Sequence, residues 1–185
     1  MNIRLLASAA LAAVLAVPAF AAQTLVPAKS ALGFTFKQMS VPVEGTFKTY
    51  TAQVSFDPAK PEATQATFSV DLGSIDVGGP DGNAEAKKKA WFDVASFPKA
   101  TFTAKSVKAL GGGKYEARGP LVIKGLSRDI VAQFTAKPAG SDLLLEGGFP
   151  LKRLQYKLGD GAWADTETVA DDVQVKFRFT LTGKP

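Results

Sequence analysis

Acid and base chemistry in this sequence rests on carboxylates. Asp71, Asp76, Asp93, Asp165, Glu167, Asp171 and Asp172 are the candidates, and two carboxyl groups held side by side can act as general acid and nucleophile or base. The chain has no His and no Cys, which removes the commonest general base, every thiol nucleophile and most transition-metal ligand sets. In a chain rich in turns such carboxylates are turn formers and surface charges first, so no catalytic residue, metal ligand or cofactor is assigned. "GGG" at 111–113 lacks the Lys-Ser/Thr of a phosphate loop and reads as a hairpin turn. The segment best supplied for ligand recognition is "KRLQYKLGDGAWAD" (152–165). Lys152, Arg153, Gln155 and Lys157 can meet a phosphate or a carbonyl oxygen, while Tyr156 and Trp163 can cover an apolar chain. A solvated loop in which Trp163 caps a core accounts for the same residues equally well.

The elements that must position these groups alternate with period two. Leu32, Phe34 and Phe36 share one face; so do Ala52, Val54 and Phe56, and Ala66, Phe68, Val70 and Leu72. Later, Ile130, Ala132, Phe134 and Ala136 align, then Leu143, Leu145, Gly147, Phe149 and Leu151, then Val173, Val175, Phe177, Phe179 and Leu181. Half-buried antiparallel strands read this way, and Gly/Pro/Asp segments at 57–62, 78–82 and 137–142 separate them. An all-β sandwich or closed barrel follows. One stretch, "DGNAEAKKKAWFDVASFP" (81–98), breaks the pattern. Asp81 or Asn83 can cap a short helix, Glu85 sits early and Lys87, Lys88 and Lys89 late, and the rings of Trp91, Phe92 and Phe97 then fold against the β-structure.

Residues 1–21 carry one charge, an apolar run and the small-x-small pattern Ala19-Phe20-Ala21, the marks of a cleavable secretory leader with Ala22 as the first mature residue. An uncleaved anchor is the alternative, since Leu5 to Ala22 nearly suffices to span a bilayer; Pro18 and the cleavage pattern argue against it. Residues 22–185 then form one domain in the periplasm. The formal charge of +5, from 22 basic and 17 acidic residues spread along the chain, is no nucleic-acid footprint.

The ordered segments "ALGFTFKQMSVPVEGTFKTYTAQVSFDPAKPE", "NAEAKKKAWFDVASFPKATFTAKSVKALGGGKYEARGPLVIKG", "RDIVAQF" and "FPLKRLQYKLGDGAWADTETVADDVQVKFRFTL" resemble the YceI family of secreted, lipocalin-like lipid-binding proteins. The likeness covers residues 23–183 and is most specific in "WFDVASFPKATF" and the "GKY" to "IKG" stretch. It departs at Gln38-Met39, where members often carry a His before the Met, and at Gln155-Tyr156-Lys157, where they often carry Asp-Phe/Tyr-Gly. The resemblance implies an eight-stranded antiparallel lipocalin-like β-barrel with one short α-helix, holding a polyisoprenoid or related long-chain amphiphile such as an isoprenoid quinone or a polyprenyl phosphate, without catalysis. For a redox lipid it is compatible with transient contact with a membrane or a b-type cytochrome, and it leaves monomer and dimer both open.

An inward Phe by itself shows only burial, and an eight-stranded barrel is near the size at which side chains fill the interior or leave room for one ligand. Gly33, Ala52, Ala66, Ala104, Ala132, Ala136 and Gly147 interrupt the large positions and are expected to leave gaps. The expected wall is Phe34, Phe36, Phe47, Val54, Phe68 and Val70 from the first strands, Trp91, Phe92, Phe97 and Phe102 around the helix, and Phe134, Phe149, Phe177 and Phe179 from the last. Arg153, Tyr156 and Trp163 would meet the head group. A structural or stress-protective envelope protein with no physiological lipid is the competing reading.

Overall fold

A computed structural model describes residues 22–184; the leader assigned to residues 1–21 lies outside them. Among the described residues there are twelve strands and one α-helix. In chain order β1 (Gln23–Leu25), β2 (Ala31–Gln38), β3 (Val41–Phe47), β4 (Tyr50–Ser55), β5 (Gln65–Asp71) and β6 (Ile75–Asp76) precede α1 (Pro80–Lys87). Then come β7 (Lys99–Thr103), β8 (Ser106–Gly111), β9 (Lys114–Ile123), β10 (Leu126–Ala139), β11 (Asp142–Lys152) and β12 (Asp172–Thr182). Alternation makes these strands: in β12, Val173, Val175 and Phe177 are half-buried while Asp172, Gln174, Lys176 and Arg178 face water, so one pleat face joins the core and the other is solvated.

Eight strands close on themselves. The antiparallel order β1-β4-β5-β7-β9-β10-β11-β12 returns to its start through Thr24↔Thr182 and Leu25↔Leu181, which is the barrel the resemblance implied and one of the two architectures the alternation left open. The remaining four arise because long strands serve two partners along one edge. β12 pairs with β1 near its end and with β2 over Gln174–Arg178, and β3 and β6 continue the wall beyond β2. β9 pairs with β8 over Lys114–Arg118 and with β7 at Leu121 and Val122. Glycine is required at that second fork: a Cβ on Gly119 would stand 2.0 Å from the Thr103 carbonyl oxygen. The run Gly111, Gly112 and Gly113, all at positive φ, turns β8 into β9, the hairpin read from the sequence.

Two clusters of buried side chains stand in the interior, one around Val54, Phe56, Tyr115, Leu145 and Phe179, the other around Leu72, Leu121, Ile123, Leu151 and Tyr156. The helix differs from expectation at its start. Pro80 opens it, Gly79 is the cap residue, and neither Asp81 nor Asn83 caps with its side chain; proline at the first helical position already fixes φ and gives up an N–H that has no helical partner. Asn83 instead accepts from Val77 N at 2.7 Å and donates to Asp76 Oδ1 at 3.2 Å, fastening α1 to β6.

Candidate functional site

The interior is not packed solid. A cavity of about 590 Å³ runs between the two clusters, taking Val54, Phe56, Leu145 and Phe179 from one and Leu72, Leu121, Ile123 and Leu151 from the other. That volume is of the size that buries most of a drug-sized ligand. Its wall is aromatic in three groups. Phe177 and Phe68 stack on either side of Phe179 at 5.1 and 5.0 Å; Phe36, Phe34, Phe47 and Phe92 follow one another at 6.2, 5.5 and 5.9 Å; and Phe56 and Phe134 pack at 5.7 Å with Tyr115 beside both. Val70, Trp91, Phe102, Phe149 and Trp163 complete the expected lining.

The gaps come partly from other small residues than expected, with Ala86, Ala100 and Ala117 also in the lining. Gly33, Ala66, Ala104 and Ala132 border the open space, whereas Ala52 and Ala136 pack against the first cluster. Gly147 is no gap: a Cβ there would lie 2.2 Å from Gln133 O and 2.6 Å from Phe134 Cβ, so glycine serves close strand approach. Two expected ligand contacts, one of the wall and one of the head-group end, stand outside the lining. Phe97 covers Gly125, whose would-be Cβ is 2.9 Å from the ring, and so holds the β9–β10 turn. Tyr156 is buried in the second cluster, where its hydroxyl has no hydrogen-bond partner among the described residues and burial pushes its pKa up.

The mouth is identifiable from exposure. The exposed members of the lining are Gln38, Asp81 and Gly82, all at the end covered by α1. There Trp163 lies 5.7 Å from Trp91 and its Nε1 donates to Glu85 Oε1 at 3.1 Å. Glu85 also pairs with Lys88 at 2.5 Å, and that contact is the main reason its carboxyl titrates below the usual range. Asp81 and Glu85 read from the sequence only as helix residues, and Gln38 only as a departure from the family pattern; none is named there as lining. The spacing of Asp81 and Glu85, four apart on a helix leading into Trp91, was the available signal.

Arg153 borders the cavity but is not free to meet a head group. It is 2% exposed, and all its N–H groups go to backbone carbonyls: Nε to Ala170 O (3.2 Å), Nη1 to Leu158 O (2.7 Å) and Gly159 O (3.2 Å), Nη2 to Trp163 O and Val169 O (both 2.7 Å). Its guanidinium carbon lies 5.5 Å from the Trp91 ring centre. Burial lowers its pKa, with Asp171 and Asp160 opposing, and Arg stays charged in any case. It is thus the clasp of the strap 158–170, the loop over the mouth.

Most of the carboxylates weighed for catalysis are held in turns or ion pairs, Asp172 with Lys152 at 2.8 Å among them. Asp165 accepts from Glu167 N and Thr168 Oγ1, Asp171 from Leu154 N and Asp71 from Gly73 N, each at 2.8 to 3.0 Å. Asp76 anchors the helix region: it pairs with Lys48 at 2.6 Å and accepts from Gly78 N and Asn83 Nδ2, and the Lys48 contact leads these in lowering its pKa from 3.8 to about 2. A depressed carboxylate stabilises the fold fully above its unfolded pKa and stops doing so as pH falls through the folded one. Docking of α1 is therefore expected to loosen between about pH 4 and about pH 2, read by amide exchange at Asn83. Asp76→Asn should remove that portion of the pH dependence; an unchanged profile would refute the assignment.

A family model of the YceI-like domain matches residues 23–181. The crystal structure of Burkholderia cenocepacia BcnA is 39% identical, with a TM-score of 0.83 over 85% of this chain and 99% of that one. A polyisoprenoid binding domain from Saccharophagus degradans, implicated in plant cell wall breakdown, superposes with a TM-score of 0.70 over 87% of this chain and 98% of that one; at 17% identity it shares the fold. A UPF0312 protein of Pseudomonas savastanoi pv. phaseolicola is 31% identical over 113 residues, 61% of this chain and 56% of that protein. Protein YceI of Salmonella arizonae is 28% identical over 98 residues, 53% of this chain and 51% of that protein. The chain thus spans little more than half the length of these curated relatives. With the family model matching nearly the whole barrel, the chain belongs to the YceI-like domain family.

Proposed function

We propose that this protein is a non-catalytic carrier that holds the tail of a long-chain isoprenoid in its barrel, working in the periplasm after removal of residues 1–21. The observation that carries the reading is the continuous apolar cavity walled by stacked rings. A binding function for the Saccharophagus degradans neighbour, named for polyisoprenoids, and the leader pattern of the first residues add support. In an envelope the competing solvent for such a tail is the bilayer, where it is already dry, so the exchange free energy is small and loading reversible. That suits a carrier rather than a sink. For a redox lipid, the membrane partner receiving it would be of the b-type cytochrome kind.

The mouth favours a neutral head group such as a quinone, quinol or alcohol over a polyprenyl phosphate. Asp81 and Glu85 stand there, and the cation of the wall, Arg153, has no donor left. Trp91 Nε1, buried without a partner among the described residues, is a donor that a carbonyl or hydroxyl oxygen would satisfy. Native mass spectrometry of protein kept out of detergent, followed by organic extraction, is expected to reveal a co-purifying isoprenoid, and affinity should rise with tail length. No lipid and no dependence on tail length would favour a structural envelope protein instead.

A further inference from the structure

We infer that the β2–β3 hairpin tip is the surface by which this protein touches a lipid bilayer while its cavity fills and empties; this rests on the carrier reading above. Among the described residues four large hydrophobic side chains are exposed, and two of them, Met39 at 70% and Val41 at 62%, sit on this one tip. Pro42 beside them is exposed as well, so three of four consecutive residues present apolar surface to water. Isolated exposed apolar residues are ordinary; a contiguous group next to a lipid cavity is not.

The tip adjoins the mouth. Gln38, the last residue of β2, lines the cavity and bridges to Val169, another lining residue, while Met39 N donates to Thr168 O at 2.9 Å and Ala170 N to Lys37 O at 2.9 Å. The tip is therefore held rigidly against the strap over the opening. Its turn places Met39 at φ 49 and Ser40 at φ 67, the positive angles of a two-residue hairpin turn in which Asn-Gly is the relaxed choice. Methionine there bears backbone strain and gains nothing from burial, as expected of a residue kept for what it meets outside the chain.

The partner is a bilayer and not an anionic surface in particular. Lys37 flanks the tip, but Asp165 and Glu167 on the strap lie beside Thr168, so charge near the contact is mixed. Insertion of the apolar tip would let a tail pass from membrane to cavity without crossing water.

The test uses zwitterionic phosphatidylcholine vesicles carrying a dansyl-tagged polyprenol, with energy transfer from Trp91 and Trp163, the 2 tryptophans of the chain, reporting arrival. Met39→Asn with Val41→Thr removes the apolar contact, relieves the turn and keeps a strand former, so thermal stability should hold or rise. Transfer from vesicles is expected to slow about tenfold, while loading of a water-dispersed short-chain probe stays as in the unmodified protein. Unchanged transfer from vesicles overturns the docking surface alone. Failure of the unmodified protein to load by either route overturns the carrier reading and this inference together.

Discussion

Arg153→Met is expected to cost about 3–5 kcal/mol of stability in urea denaturation, the scale set by stranding buried polar partners. The side chain it removes is 2% exposed and satisfies carbonyls of Leu158, Gly159, Trp163, Val169 and Ala170. Those groups come from both ends and the middle of the strap, so a single substitution orphans the whole loop. Strap carbonyls that regain water by local opening would reduce the loss, and the Trp91 and Trp163 environment would then change before global unfolding. Arg153→Lys should recover little, because an ammonium has three donors and no planar fork to span so many acceptors. A loss below about 1 kcal/mol for Arg153→Met would show that water replaces the guanidinium readily.

Filling the cavity is the second large effect. Ala132 is 5% exposed, lies opposite Ala117 and borders the open space; Ala66, half-buried on β5 opposite Val54, borders it as well. Leucine at either position adds three carbon atoms where a tail would lie. For binding measured from water, at about 0.8 kcal/mol per methylene-sized group, displacing an equal number of tail carbons weakens affinity by roughly 2 kcal/mol, about 30-fold. Long tails should suffer and short ones should not, since short tails can avoid the blocked stretch. Stability should stay within about 1 kcal/mol of the parent, because the new side chain fills space without forcing its neighbours apart. If Ala132→Leu and Ala66→Leu both leave long-tail affinity intact, the occupant does not use this space.

The period-two alternation exposed most of the barrel because a strand with one wet and one dry face writes that fact into every second residue. It located β2, β4, β5, β10, β11 and β12 and the face each turns inward. Closure was not legible. β1 spans three residues, Gln23–Leu25, too few for any period, and the double pairing of β9 and β12 depends on register, which the pattern of one strand does not encode. Most of the expected wall residues do line the cavity, since inward aromatic positions and lining positions coincide in a hollow barrel. Phe97 is the instructive miss: its partner is the bare backbone of Gly125, and glycine leaves no hydrophobic mark in a sequence. Arg153 misled for a related reason. A basic residue in a segment that also carries a tyrosine and a tryptophan invites a head-group role, whereas its actual partners are main-chain oxygens of a strap whose side chains gave no sign of them.

The seal between β1 and β12 also governs how the molecule comes into being. It joins Thr24 and Leu25 to Thr182 and Leu181, contacts at the greatest sequence separation in the ring, so the cylinder cannot be completed until its last strand is available. Folding with such high contact order is slow, on the millisecond-to-second end of the range. Until then β12 offers an unpaired edge, a template for other chains, and the interval before closure is when this protein is most exposed to self-association and most in need of a chaperone.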